Sequence, residues 1–403
     1  MKMKKGICAL SAVLLLASGG AMAQKENAKK GDEGFVFTTI KEIPITSIKD
    51  QNRSGTCWAY SSLGFFEAEL LRMGKGEYDL CEMYLCHKTY EDRAEARVRL
   101  HGDISFTEGG SFYDAVYCMR HYGMIPEDAM PRPGVPYGDT LANFTEMWPV
   151  VSGVVDGLID EKPKKLSPAW KGALNGALDA YLGAVPEKFT VNGKEFTPQS
   201  YQASLGLNMD DYVNLTSFTH HPFYETFAIE VQDNWRWGRS YNLPIDELMA
   251  VMRNAIDKGY TFAWGADVSE IGFTRDGIAV FPDADRGADI TGSDMARWTG
   301  MTPTDRRNEL TRRPLPEVEV TQEMRQVAYD NWETTDDHGM LVYGKAKDQN
   351  GKEYFIVKNS WGKAGKYNGI WYASEAFVKY KTLNILVHKD ALPKDIKKKL
   401  GIK

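Results

Sequence analysis

An α+β protein is predicted from three features of the 403-residue chain. Apolar residues recur at helical spacing through the first half, strand-like runs crowd the last third, and Asn350-Gly351 joins two of those runs as a tight hairpin turn. Hydrophobic residues make up 43% and aromatic residues 12% of the chain, enough to bury a substantial core in one large two-lobed unit.

The helical features come first in the chain. In CWAYSSLGFFEAELLRM, residues 57–73, Ala59, Leu63, Phe66 and Leu70 share a helical face, and Gly74 and Gly76 end the run. Ser54 and Thr56 are candidate caps. Further helices are expected over Glu82 to His101, Ser111 to His121, from Ser167-Pro168 onward, and Ile245 to Lys258. TFAWGADV, residues 261–268, reads as a buried strand, and residues 275–320 as loop with at most short elements. Beyond residue 338, strands are expected at Met340 to Ala346, Tyr354 to Lys358, Gly369 to Ala373 and Thr382 to His388.

The first residues have a different character. Lys2, Lys4 and Lys5 precede an apolar run from Ile7 to Ala17, and Ala21-Met22-Ala23 is a small-x-small cleavage site. This predicts a secretory signal peptide over residues 1–23, cleaved near Ala23, and a periplasmic or secreted mature protein. The run is too short to span a membrane, and no later segment reaches 18 apolar residues. The net charge of −6 becomes more negative once the three signal lysines leave, which disfavours a nucleic-acid partner. The basic ending KDIKKKLGIK reads as a solvated helix tail.

Of five cysteines, Cys57, Cys81, Cys86 and Cys118 follow the signal. There is no CxxC, no HExxH and no acidic calcium loop, so no metal and no cofactor is expected. Cys81, Cys86 and Cys118 read as small buried hydrophobes. His220-His221-Pro222 reads as a loop, and Asp336 and Asp337 as solvated turn acids.

Cys57 is different because it opens a helix. The positive helix end favours thiolate, the attacking species, although a structural cysteine can also stand there. Gln51, six residues earlier, can donate an amide hydrogen bond to an oxyanion, with the Cys57 backbone N–H as second donor. His338 begins one strand of the hairpin and Asn359 follows the other. A hairpin brings the two to the same end, where the Asn oxygen can hold the imidazole in one tautomer. Trp361 can cover that bond from water or line a substrate site. Singly, each residue has a duller structural explanation.

Together the segments QNRSGTCWAYSS, EGGSFYDAVYCMRHYGMIPED and DDHGMLVYGKAKDQNGKEYFIVKNSWG resemble the nucleophile, Gly-Gly and His/Asn segments of the papain-like cysteine peptidases. The 281 positions between Cys57 and His338, about twice the papain spacing, resemble the bleomycin hydrolase and aminopeptidase C family. YVNLTSFTHHPFYETF and LNILVHKDALPKDIKKKL agree with that family.

The resemblance implies a papain-like fold with a helical lobe, an antiparallel β lobe and a helical insertion. Its parts are an N-terminal arm at 24–50, a helical lobe with the nucleophile at 51–139, a mostly helical insertion at 140–260, a β lobe at 261–389 and a basic tail at 390–403. It implies a Cys57, His338 and Asn359 triad with Gln51 at the oxyanion, and Gly109 and Gly110 beside the substrate backbone. The implied activity is that of a thiol-dependent aminopeptidase acting on peptides, with homo-oligomers, often hexamers, as the family's assembly. The chain stops at Gly401-Ile402-Lys403, short of the arm that fills the cleft in that family, so endopeptidase or dipeptidyl-peptidase activity is the alternative. A non-catalytic peptide-binding relative is a further one.

Overall fold

The computed structural model describes residues 34–283 and 300–403. The signal peptide expected at 1–23 and part of the 275–320 stretch therefore lie outside the described residues. The helices that matter for the site are α1 (Cys57–Arg72), α2 (Glu82–Arg99), α3 (Phe112–His121), α4 (Met147–Glu161), α5 (Ala169–Leu182), α6 (Pro198–Leu205) and α7 (Ile245–Lys258). The strands are β1 (Thr38–Glu42), β2 (Phe189–Val191), β3 (Lys194–Phe196), β4 (Tyr212–Thr216), β5 (Thr226–Ala228), β6 (Arg239–Asn242), β7 (Phe262–Ala266), β8 (Ile278–Ala279), β9 (His338–Lys347), β10 (Glu353–Lys358), β11 (Ile370–Ser374) and β12 (Thr382–His388).

One large sheet runs in the order β5-β6-β4-β12-β7-β9-β10-β11-β8, with β1 paired to the far end of β9. It is antiparallel except where β6 meets β4 and β8 meets β11. Strand β9 is buried along nearly its whole length because both faces are covered. Leu341 joins the core beneath α1, α2 and α3, with Leu63, Phe66, Leu85 and Met119. Met340 and Val342, on the other face, pack with Leu248, Met252 and Ile256 of α7 and with Trp371 of β11. This explains why HGMLVYGKA lacks polar alternation: a strand covered on both sides has no water-facing residues.

The hydrophobic periods locate the long elements well. Helix α7 and strand β12 fall where the sequence puts them, and β9 and β10 form the expected hairpin about Asn350-Gly351. Three features differ. The 140–260 segment, expected to be mostly helical, holds α4 to α7 but also sends β4, β5 and β6 into the main sheet. Those strands are three to five residues long, and β4 pairs with β12, from the end of the chain, which no local pattern announces. The 275–320 stretch contains a ten-residue helix, Pro303–Arg312, started by a Thr302/Asp305 capping box with Pro303 in its first turn. At α1, Thr56 occupies the cap position, but neither it nor Ser54 caps the helix by its side chain. Their hydroxyls meet each other at 2.6 Å, and Ser54 donates to the Gln51 carbonyl oxygen at 2.6 Å. The Thr56 carbonyl oxygen takes the Ala59 and Tyr60 N–H groups, which leaves the Cys57 N–H at the start of α1 without a cap.

Candidate active site

Helix α1 starts where β9 starts, and Gly339 makes the approach possible. A Cβ at Gly339 would lie 2.6 Å from Ser61 Oγ and 3.3 Å from both the Cys57 carbonyl oxygen and Trp58 Cα. Any larger residue would hold the strand off the helix. His338, one residue earlier, is thereby brought to the same cleft as Cys57. That cleft encloses about 1090 Å³ and is also lined by Gln51, Gly109, Gly110, Asp233, Asp336 and Trp361.

The His338 ring is oriented from one side. Its Nε2 donates to Asn359 Oδ1 at 2.8 Å, and the same oxygen accepts the Ser360 N–H at 2.8 Å. Nε2 is therefore the protonated nitrogen, and Nδ1 is left to act as base. A bulge in the hairpin sets this arrangement. Ile356 pairs with Gly344, but Val357 pairs with Val342, so the register slips by one residue. Continued, the slipped register puts position 361 opposite His338, and the Trp361 ring lies over the imidazole at 4.8 Å. Asn359 Nδ2 is buried with no hydrogen-bond partner among the described residues, so the amide is held by its oxygen alone.

Gln51 is tied to the Asn359 segment from the other side of the cleft. Its N–H donates to the Ser360 carbonyl oxygen at 2.8 Å, and its Oε1 accepts from Ser360 Oγ at 2.6 Å. One N–H of its amide is used by the Ser54 carbonyl oxygen at 2.7 Å. The second remains for a ligand in the cleft, as does the Cys57 backbone N–H at the uncapped start of α1.

The electrostatics differ from a preformed ion pair. Burial pushes the Cys57 thiol up to about 12, against the Gly339 and Trp58 N–H groups, while the Asp336 and Asp233 charges add to the rise. Burial also pushes His338 down to about 4, against its bond to Asn359. Both directions favour neutral thiol and neutral imidazole, whereas the helix position alone predicts thiolate.

Gly109 and Gly110, predicted to lie beside a substrate backbone, have their spare room taken by protein. A Cβ at Gly109 would meet Asp233 Oδ2 at 1.8 Å, and one at Gly110 would meet the Trp58 ring at 2.8 Å. Trp58 Nε1 and the Tyr90 hydroxyl both donate to the Glu108 carbonyl oxygen, at 3.1 and 2.7 Å, which fixes this loop. Asp336, read from sequence as a turn acid, opens onto the cleft. It is exposed there, and partial desolvation, then the Asp233 and Asp337 charges, push its carboxyl up to about 7. Neither Asp233 nor Gly339 stands out in the sequence. The only cue was a glycine directly after the histidine.

Cys81, Cys86 and Cys118 are buried and free, as small hydrophobes. His220, His221 and Glu230 bring three potential metal-ligand atoms within 4.8 Å of one another. Both Nε2 atoms, however, bond the Glu230 carboxylate, at 3.0 and 2.8 Å. The Gln326 amide also lies against His220 Nδ1, with Nε2 at 3.0 Å and Oε1 at 3.4 Å, so both nitrogens of that ring have protein partners. No described helix is long and apolar enough to cross a membrane.

Known proteins share this arrangement at the level of fold and sequence. Residues 287–402 match the model of the Peptidase C1-like family. Aminopeptidase G of Lactobacillus delbrueckii subsp. lactis is 22% identical, over 89% of this chain and 84% of its own length. Aminopeptidase C of Streptococcus thermophilus is 21% identical, over 90% and 84%. In sequence and fold the chain is similar to the papain-like cysteine peptidases, and these matches support a cysteine peptidase. The crystal structure of PepW from Lactobacillus rhamnosis HN001 superposes on this peptidase with a TM-score of 0.66, covering 96% of this chain and 92% of the other at 19% identity. The match covers nearly the whole chain, so its α+β class and papain-like fold follow.

Proposed function

We propose that the peptidase removes amino-terminal residues from peptides, with Cys57 as nucleophile, His338 as base, Asn359 as its orienting partner and Gln51 as an oxyanion donor. The observation that carries the roles is the 2.8 Å bond from His338 Nε2 to Asn359 Oδ1, which leaves Nδ1 directed to the cleft that Cys57 shares. The relatives named aminopeptidases support the exopeptidase assignment.

The steps follow from the neutral pair. As Cys57 sulfur bonds to the scissile carbonyl carbon, its proton passes to His338 Nδ1 and the carbonyl electrons move to oxygen. That oxygen takes hydrogen bonds from the Gln51 amide and the Cys57 backbone N–H. The carbonyl re-forms, the C–N bond breaks, and His338 gives its proton to the departing amine. Water then adds to the thioester with His338 as base, and the acid product leaves as Cys57 recovers its proton.

Two fluorogenic peptides, one with a free amino terminus and one N-acetylated, test this under reducing conditions with Cys57→Ala as control. Cleavage of the free peptide alone, abolished by the substitution, is expected. Equal cleavage of the blocked peptide would make the enzyme an endopeptidase. Turnover surviving Cys57→Ala would remove the nucleophile. We also infer a periplasmic enzyme from the basic, apolar and AMA segments of residues 1–23, checked by sequencing the amino terminus of the protein recovered from a periplasmic extract.

A further inference from the structure

An aminopeptidase must hold a free ammonium and stop the substrate from extending past it. Asp233 is placed to do both. Its carboxylate rests against the Gly109 backbone, so close that only glycine fits there. A second substrate residue, lying along the glycine loop beyond the first, would meet this carboxylate instead of open cleft.

Asp233 is held firmly but left unsatisfied. Its Oδ1 accepts from Thr107 Oγ1 at 2.9 Å and from Arg93 Nη2 at 3.3 Å. Arg93 is fully buried, and its other donors serve the carbonyl oxygens of Ser105, Thr107, Gly109 and Gln232 and the Ser105 hydroxyl. The guanidinium is thus shared among many acceptors, and its single contact with Asp233 is the longest of the set, equalled only by that to Thr107. Asp233 Oδ2 keeps no hydrogen-bond partner among the described residues. Asp336 stands beside it, so one shared cation faces two carboxylates. Such a site lacks positive charge and strong donors, which an α-ammonium supplies and an acylated amine does not.

We propose that the Asp233 carboxylate receives the α-ammonium of the substrate and closes the cleft behind its first residue, so that single residues are released. This rests on the aminopeptidase assignment above. It carries a second consequence for catalysis. Asp233 and Asp336 both hold the Cys57 thiol up. An ammonium between them offsets that field, so the correct substrate makes its own nucleophile easier to ionise.

The test compares wild type with Asp233→Asn, which keeps the shape and removes the charge, and Asp233→Ala, which opens the space. Two readouts are needed: kcat/KM on free and N-acetylated aminoacyl-amidocoumarins, and the rate at which phenylalanyl chloromethyl ketone, free or N-acetylated, alkylates Cys57 by intact mass. Asp233→Asn is expected to lower kcat/KM and alkylation for the free-amine reagents about 10- to 100-fold. Alkylation by the acetylated reagent does not fall, which shows that the site is still folded. Asp233→Ala is expected to admit N-acetylated and dipeptidyl substrates. For the free-amine substrate, wild-type kcat/KM should also fall as pH rises through the substrate's own amine pKa, about 8, and this limb should flatten in Asp233→Asn. Free-to-acetylated ratios unchanged in both variants would overturn the proposal. Wild type cleaving both substrates equally would overturn the aminopeptidase assignment. The proposal survives that result only if alkylation still shows an Asp233-dependent preference for the free amine, and falls with it otherwise.

Discussion

Gly339→Ala tests the contact that brings the two halves of the site together. The added methyl carbon would sit 2.6 Å from Ser61 Oγ, about 1 Å inside an ordinary contact. Ser61 Oγ cannot swing away cheaply, because it donates to the carbonyl oxygens of Cys57 at 2.7 Å and Trp58 at 3.2 Å. The Cys57 carbonyl oxygen and Trp58 Cα, at 3.3 Å, are backbone atoms and resist displacement. The strand start must therefore move off the helix by roughly 0.5–1 Å. Overpacking of this kind costs about 1–3 kcal/mol. Because His338 is the next residue, the same shift misplaces the base, and a displacement near 1 Å costs up to about 100-fold in rate. Urea unfolding should report the first quantity, and kcat/KM on a free-amine aminoacyl-amidocoumarin the second. Adding Ser61→Ala removes the closest contact, so the double variant should recover about tenfold in rate and roughly half of the lost stability. A Gly339→Ala enzyme within threefold of wild type, or a double variant no better than the single, would refute the close-approach argument.

Four other outcomes are expected. Cys57→Ala should abolish turnover with an unchanged thermal midpoint, since the residue is half-buried at a helix start and outside the apolar core; calorimetry and the peptide assay check both. Gln51→Ala should lower kcat about 10²–10³-fold, the usual effect of one oxyanion donor, measured under saturating substrate. Asn359→Ala should cost about 10- to 100-fold in kcat/KM, because it removes a buried hydrogen bond that aims the base, while leaving alkylation of Cys57 by iodoacetamide measurable. The folded chain holds His338 near 4 against an ordinary 6.5, so between those values the unfolded chain binds the extra proton. His338 therefore takes away stability as pH falls from about 6.5 to about 4, by about 3 kcal/mol, and His338→Gln should flatten that part of the urea-stability profile.

Particular residues show how far the sequence could be read. Cys57, His338 and Asn359 were legible because each combines a reactive side chain with a local position, a helix start or a hairpin end, that the hydrophobic periods locate. Helix α7 and strand β12 were legible for the same reason: a strong period over enough residues. Strands β5 and β6 were not, being three or four residues long with their partners set by tertiary pairing. Thr56 stands at the cap position as read, but its hydroxyl meets Ser54 rather than the helix backbone, a choice that no local pattern states.

By itself, the sequence determined the chemistry available: a thiol at a helix end, an imidazole and an amide at neighbouring strand ends, and a glutamine upstream. These depend on residue type and short-range periodicity, which a linear pattern carries. Only the tertiary structure decided how they act. The one-residue slip in the β9–β10 pairing sets Trp361 over His338, and desolvation in the cleft pushes the Cys57 thiol up and the His338 imidazole down. Asp233, far from every motif in the chain, reaches the cleft because Arg93 and Thr107 hold it against Gly109. Register, desolvation and charge proximity arise between segments that are distant in sequence, so no local pattern could have stated them.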